Sequence, residues 1–188
     1  MFLNLPTLLT WARIVAIPLI VGVFYLPWPA AEINLTASVL FVLVALTDWL
    51  DGWLARRLNQ TSAFGAFLDP VADKFLVCAS LLILLQLDRV NALVALIIIG
   101  REIAISALRE WMAQIGASKS VAVHMLGKLK TASQMVAIVL LLFDGVLFGV
   151  LDTRLLGTWL IYVACGLTIW SMVYYLKKSL PDIRANAR

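Results

Sequence analysis

Six stretches of the chain are apolar almost without interruption: residues 8 to 27, 33 to 55, 66 to 87, 90 to 112, 121 to 143 and 154 to 176. Each is close to the ~20 residues that an α-helix needs to cross the hydrocarbon core of a bilayer. The runs are continuous rather than alternating, and hydrocarbon leaves no partner for free backbone groups, so helices are predicted and a β-barrel is not. The expected fold class is therefore an all-α polytopic membrane protein. Six transmembrane helices form a single domain over residues 1–188, preceded by a short N-terminal interfacial segment led by Pro6. No solenoid or transporter-half repeat interrupts this pattern. The start lacks a basic head followed by a short apolar core and a small-residue cleavage site, so the first run is expected to be retained.

Composition agrees: 63% of the 188 residues are hydrophobic and only 14% charged, against about a quarter charged in soluble domains. The formal net charge is +4. Arg89 and Arg154 fall in one set of connections, whereas Arg56, Arg57, Lys74, Arg109, Lys119, Lys128, Lys130, Lys177, Lys178, Arg184 and Arg188 flank the other set. That bias places the second set, with both termini, on the cytoplasmic side. The positive charge reads as topology and attraction to anionic headgroups, with no nucleic-acid partner. Cys78 and Cys165 lie singly inside apolar runs and are expected to be small core residues.

Against this background the stretch DWLDGWLARRLNQTSAFGAFLDPVADK stands out, with carboxylates at Asp48, Asp51, Asp69 and Asp73. Asp48 and Asp51 are three apart, and Asp69 and Asp73 are four apart, so each pair shares a helix face. Asn59, Gln60, Thr61 and Ser62 make a natural corner between the two helices. An antiparallel pair would bring all four acids together, where they repel unless cations neutralise them. An oxygen-only donor set without His or Cys suits Mg²⁺, Mn²⁺ or Ca²⁺, and four carboxylates suit two ions. Ordinary acids at helix ends paired with Arg56, Arg57 and Lys74 are the simpler alternative. Four of only 11 acidic residues within 26 positions favour metal. Gly52, Gly65 and Ala55 allow a bulky ligand close to the backbone, and Arg56 offers a fork for phosphate.

The spacing Asp48-x-x-Asp51-Gly52-x-x-Ala55-Arg56, then eight residues, Gly65-x-x-x-Asp69-x-x-x-Asp73 resembles the signature of the CDP-alcohol phosphotransferase family at every position. The segments NLPTLLTWARIVAIPLI, GREIAISALREWMA and SVAVHMLGKLKTASQM extend the likeness over most of residues 2 to 136. The resemblance implies a six-helix enzyme of the bacterial inner (cytoplasmic) membrane, a homodimer with a cytoplasm-facing cavity holding two divalent cations, Mg²⁺ or Mn²⁺. It implies that Asp48, Asp51, Asp69 and Asp73 bind metal and that Asp73 is also the catalytic base. Gly52, Ala55, Arg56, Ser62 and Gly65 would bind the donor, CDP-diacylglycerol. The likeness outside the motif implies glycerol 3-phosphate as acceptor. The motif alone leaves inositol phosphate or serine open.

A dianionic acceptor needs cations of its own, and Arg109, Lys128 and Lys130 are candidates for its phosphate. Arg101 lies deeper, where Glu102 or a neighbouring helix is a natural partner. Asn4, Pro6, Thr10 and Arg13 open the chain in a manner similar to the family; Arg13 either points toward phosphate or snorkels to headgroups. His124 is expected to pack or hydrogen-bond. Trp49 and Trp53 are placed to shape a lateral opening for acyl chains. The substitution Asp73→Asn is expected to stop turnover and spare the fold. Two rivals remain: an intramembrane prenyltransferase, whose Asp-rich motifs lie far apart in sequence, and a divalent cation transporter, whose acids would be spread over several spans.

Overall fold

The computed structural model describes residues 5–58, 63–116 and 125–186, and the side chains among these except at 5–7, 48–58, 63, 66, 125–128, 182 and 184–186. The described residues form α1 (Leu5–Val23), α2 (Ala30–Leu58), α3 (Ala63–Gln86), α4 (Ala92–Gln114), α5 (Met125–Phe143) and α6 (Thr153–Asn186). Each expected apolar run has its helix. A small antiparallel hairpin, β1 (Val146–Leu147) and β2 (Leu151–Asp152), joins α5 to α6.

Three features depart from the sequence reading. Pro6 lies in the first turn of α1 rather than in a separate interfacial segment; a proline there sacrifices no helical hydrogen bond. Helix α6 continues past the apolar run through Lys177, Lys178 and Pro181 to Asn186, because hydropathy marks where lipid ends and not where helical hydrogen bonding ends. In the hairpin, Phe148 and Gly149 adopt φ of 55° and 73°, the left-handed pair that a primed turn requires. Asn91 starts α4 by accepting the Leu93 amide at 2.8 Å, a standard N-cap.

Helix α1 packs against both α2 and α3, which among the described residues touch each other little. Its buried stripe runs Thr10, Arg13, Ile17, Ile20, spacings of three, four and three that keep one face inward. The stripe is polar at its beginning and apolar further on. Opposite it, Leu8, Trp11, Val15 and Leu19 face outward. The apolar part joins Phe41 of α2, Leu76 and Leu81 of α3, Ile98 of α4, Ile138 and Leu141 of α5 and Ile161 of α6 in one core.

Apolar windows Ala30–Thr47 and Thr153–Pro181 are long enough to span a bilayer, yet only 28% and 33% of their residues are buried. The rest of these helices shows Leu35, Leu43, Leu46, Trp159, Val163 and Trp170 outward, an apolar surface suited to lipid and not to water. The chain is a membrane protein. Shorter apolar helices are Leu8–Val23 and Leu129–Phe143.

Lipid tails are as apolar as leucine, so close fit rather than water exclusion holds such helices together. The most extensive contact, α5 with α6, depends on Gly157: an added Cβ would lie 2.8 Å from Leu141 Cγ and 3.2 Å from the Ala137 carbonyl oxygen.

Arg89 ties the opposite end. It donates to the carbonyls of Leu141 and Leu142 at 3.1 and 3.0 Å and to Asn34 Oδ1 at 3.0 Å, and pairs with Asp144 at 3.1 Å. These bonds satisfy the last carbonyls of α5, which helical geometry leaves open. Burial pulls the Arg89 pKa down, and Asp144 opposes that shift. Arg154 also reaches Asp144, at 4.0 Å, so both basic residues on this side are compensated locally.

Candidate active site

The polar start of the α1 stripe faces the acidic face of α3. Thr10 Oγ1 donates to Asp69 Oδ1, and Arg13 Nη1 donates to Asp73 Oδ1 at 2.8 Å. The spacings match: residues three apart on α1 meet residues four apart on α3, each about one helical turn. The Arg13 side chain is fully buried, whereas that of Asp73 remains 42% exposed. A stacked Trp11–Phe64 pair supports the same junction, with ring centroids 6.5 Å apart.

Beyond Asp73 opens a cleft of about 260 Å³ lined by Asp73, Lys74, Glu102, Arg109, Thr131 and Gln134, with Pro70, Val77 and Met135 as its apolar part. Helices α3, α4 and α5 all contribute, so a candidate base and a candidate phosphate-binding cation share one small chamber. The Arg109 guanidinium lies over the Tyr175 ring, 5.7 Å from its centroid, a cation–π contact that steadies it from the side of α6.

Glu102 organises the floor. It accepts from Lys130 Nζ and from Arg101 Nη1, the latter at 3.3 Å, while Arg101 Nη2 reaches Ser171 Oγ of α6 at 3.0 Å. Lys130 and Arg101 are buried, and two cations held by one carboxylate leave excess positive charge beneath the cleft. A buried ion pair contributes little net stability, but this excess sits where an anionic ligand would benefit.

The sequence-derived candidates divide accordingly. Asp69 and Asp73 share one face of α3, and α1 meets that face through Thr10 and Arg13, a role that the sequence did not announce. Asp48, Asp51, Gly52, Ala55 and Arg56 lie on α2, with side chains outside the described residues, as are those of Trp49 and Trp53. Ser62, the Asn59–Ser62 corner, Asn4 and His124 fall outside the described residues, and Lys128 lies on α5 without a described side chain. Gly65 is buried near the start of α3. Arg109 lines the cleft. Lys130 differs: it is buried and engaged by Glu102, and it is not among the residues lining the chamber. Arg13 is buried and pairs with Asp73 rather than snorkelling. Arg101 has the partner anticipated for it, and Cys78 and Cys165 are unlinked thiols, Cys165 buried. Gln134 was missed, although it lies three residues after Thr131 on the same face.

Among the described residues no three His, Cys, Asp or Glu side chains converge as a metal site would require; two of the four expected ligands lack described side chains. The donor set itself is oxygen-only and fits hard divalent cations.

A polar chamber between lipid-facing helices, with a carboxylate and an arginine on its walls, befits an enzyme acting on anionic substrates at a membrane. The chain belongs to the CDP-alcohol phosphatidyltransferase family, whose model matches residues 3–170. It is 49% identical over 187 residues to CDP-diacylglycerol–glycerol-3-phosphate 3-phosphatidyltransferase of Sodalis glossinidius (strain morsitans), covering 97% of this chain and 98% of that one. The protein of the same name from Salmonella typhimurium (strain LT2) is 46% identical over 182 residues, covering 96% and 97%. That from Shigella flexneri has the same identity and coverage.

Proposed function

We propose that this protein transfers the phosphatidyl group from CDP-diacylglycerol to glycerol 3-phosphate, giving phosphatidylglycerophosphate and CMP. The observation that carries this reading is the sharing of one cleft by Asp73 and Arg109. Relatives matched along nearly their whole length, at 46–49% identity, bear the name of this reaction.

Asp73 takes the proton of the acceptor hydroxyl as that oxygen attacks the phosphorus attached to diacylglycerol. The bond from this phosphorus to the oxygen of CMP breaks, and CMP leaves with the electron pair. Arg13 fixes one oxygen of Asp73 and so aims the carboxylate, a positional effect of the kind that governs proton-transfer efficiency. Arg109, with Lys74 lining the same cleft, offers cationic charge to the acceptor phosphate. The buried Arg101, Lys130 and Glu102 group supplies background positive potential. Asp48, Asp51, Asp69 and Asp73 would hold two divalent cations, Mg²⁺ or Mn²⁺, which when bound offset pyrophosphate charge and that of the departing CMP. Gly52, Ala55, Arg56, Ser62 and Gly65 would border the cytidine diphosphate part.

An apolar groove between α2 and α5, lined by Phe41, Val42, Ala45, Leu46, Met135 and Val139, supports an acyl-chain path. It begins at Met135, which also borders the cleft, and so joins the lipid phase to the chemistry. All six helices forming one domain, the cytoplasmic placement of the cleft, residence in the bacterial inner membrane and a homodimeric state belong to the same proposal. The distribution of basic residues supports the orientation; labelling of single cysteines from each side tests it, and crosslinking in membranes tests the dimer.

The deciding experiment follows CMP release from CDP-diacylglycerol by the purified protein, with and without glycerol 3-phosphate, after EDTA treatment and after Mg²⁺ or Mn²⁺ is restored. Release that needs both acceptor and metal is expected. Release indifferent to the acceptor, or a preference for serine or inositol phosphate in competition, overturns the assignment.

A further inference from the structure

The polar groups around the cleft are mostly matched within the protein: Asp73 with Arg13, and Glu102 with both Lys130 and Arg101. Among the described residues lining the cleft, Gln134 stands apart. Its residue is 2% exposed, and its carboxamide Oε1 is buried with no hydrogen-bond partner. Gln134 nevertheless lines the same cleft as Asp73 and Arg109. Native proteins leave few buried acceptors unpaired, and those that remain call for an explanation. An oxygen that only accepts awaits a donor, and a ligand hydroxyl is the simplest one a polyol phosphate brings.

We propose that Gln134 accepts a hydrogen bond from the non-reacting hydroxyl at C2 of the acceptor, and that this contact selects glycerol 3-phosphate over alcohols lacking it. The inference rests on the reaction proposed above and deepens it. Three groups of one small molecule then meet three side chains of one chamber: the reacting hydroxyl at Asp73, the phosphate at Arg109, the middle hydroxyl at Gln134. Placement on α5 suits the task, because Lys130, one turn earlier, anchors that helix to α4 through Glu102. An acceptor without the C2 hydroxyl brings Oε1 no donor, and sites built to hydrogen-bond a substrate group discriminate strongly against its absence.

The test compares sn-glycerol 3-phosphate with 3-hydroxypropyl phosphate, which keeps the reacting hydroxyl and the phosphate but lacks the C2 hydroxyl. The wild-type protein should favour glycerol 3-phosphate in kcat/KM by roughly tenfold to a hundredfold. In Gln134→Met the preference should fall to within about threefold, chiefly through a higher KM for glycerol 3-phosphate, while Gln134→Glu, which retains an acceptor, should keep more of it. Melting temperatures in detergent establish that each variant is folded. A wild-type protein indifferent to the C2 hydroxyl refutes the proposal without any variant. An unchanged preference in Gln134→Met, with glycerol 3-phosphate still used, refutes it while sparing the reaction. Failure of the wild-type protein to use either acceptor removes both.

Discussion

The Arg13–Asp73 contact predicts an asymmetry between its two halves. Arg13 is fully buried and Asp73 is 42% exposed, with 2.8 Å between them. In Arg13→Gln the carboxylate loses a charge-assisted hydrogen bond of about 1.5–3 kcal/mol. Because Asp73 is more than a third exposed, solvent screening brings the effect to the lower end, about 1.5 kcal/mol. If the bond aims the base, that is roughly a tenfold loss of kcat. Stability should change little, since the buried cation leaves and the exposed carboxylate is solvated. Asp73→Asn is the reverse case: the base is gone, and a buried guanidinium is left facing a neutral amide. Turnover should be nearly abolished, and the protein should remain folded but about 1–3 kcal/mol less stable. The assays are acceptor-dependent CMP release and thermal melting in the same detergent. Wild-type kcat in a folded Arg13→Gln variant, or a melting loss larger for Arg13→Gln than for Asp73→Asn, would refute the reasoning.

Other consequences follow from the packing. Gly157→Ala should cost about 1–3 kcal/mol through overpacking against Leu141 and Ala137, seen as a lower melting temperature with the reaction itself intact at low temperature. Arg89→Met strips four partners from the far end of the bundle and should destabilise by about 2–3 kcal/mol; Arg89→Lys, which keeps the charge, should recover part of that loss, and activity per folded molecule should be unaffected. Thr10→Val removes the donor to Asp69 and should raise the Mg²⁺ concentration needed for half-maximal activity if Asp69 binds metal, whereas an unchanged requirement separates Asp69 from the ion.

Much of the fold was legible because a membrane enforces a simple rule: apolar runs of sufficient length become helices. The rule speaks to composition along the chain and is silent on neighbours. It therefore located Asp69 and Asp73 on one helix face but gave no sign that α1 meets that face with Thr10 and Arg13. The hairpin escaped notice because it lies in the short connection between the fifth and sixth apolar runs, where strands of two residues leave no periodicity to read; Phe148-Gly149 was the local signal of a turn. Lys130 looked like a phosphate ligand because a lysine near a helix start usually meets solvent, and only the inward face of α5 reveals Glu102 as its partner. Gln134 carries no charge and sits in no motif that sequence alone flagged. Its meaning comes from burial without a partner, a property that only three-dimensional packing creates.

The pairing of α1 with α3 also bears on how the chain enters the bilayer. An arginine in a helix that inserts alone carries an energetic burden until a countercharge arrives, and during synthesis the segment bearing Asp73 emerges some 60 residues after Arg13. Biogenesis is thereby ordered: the ion pair between Arg13 and Asp73 can close only after the third helix has followed the first.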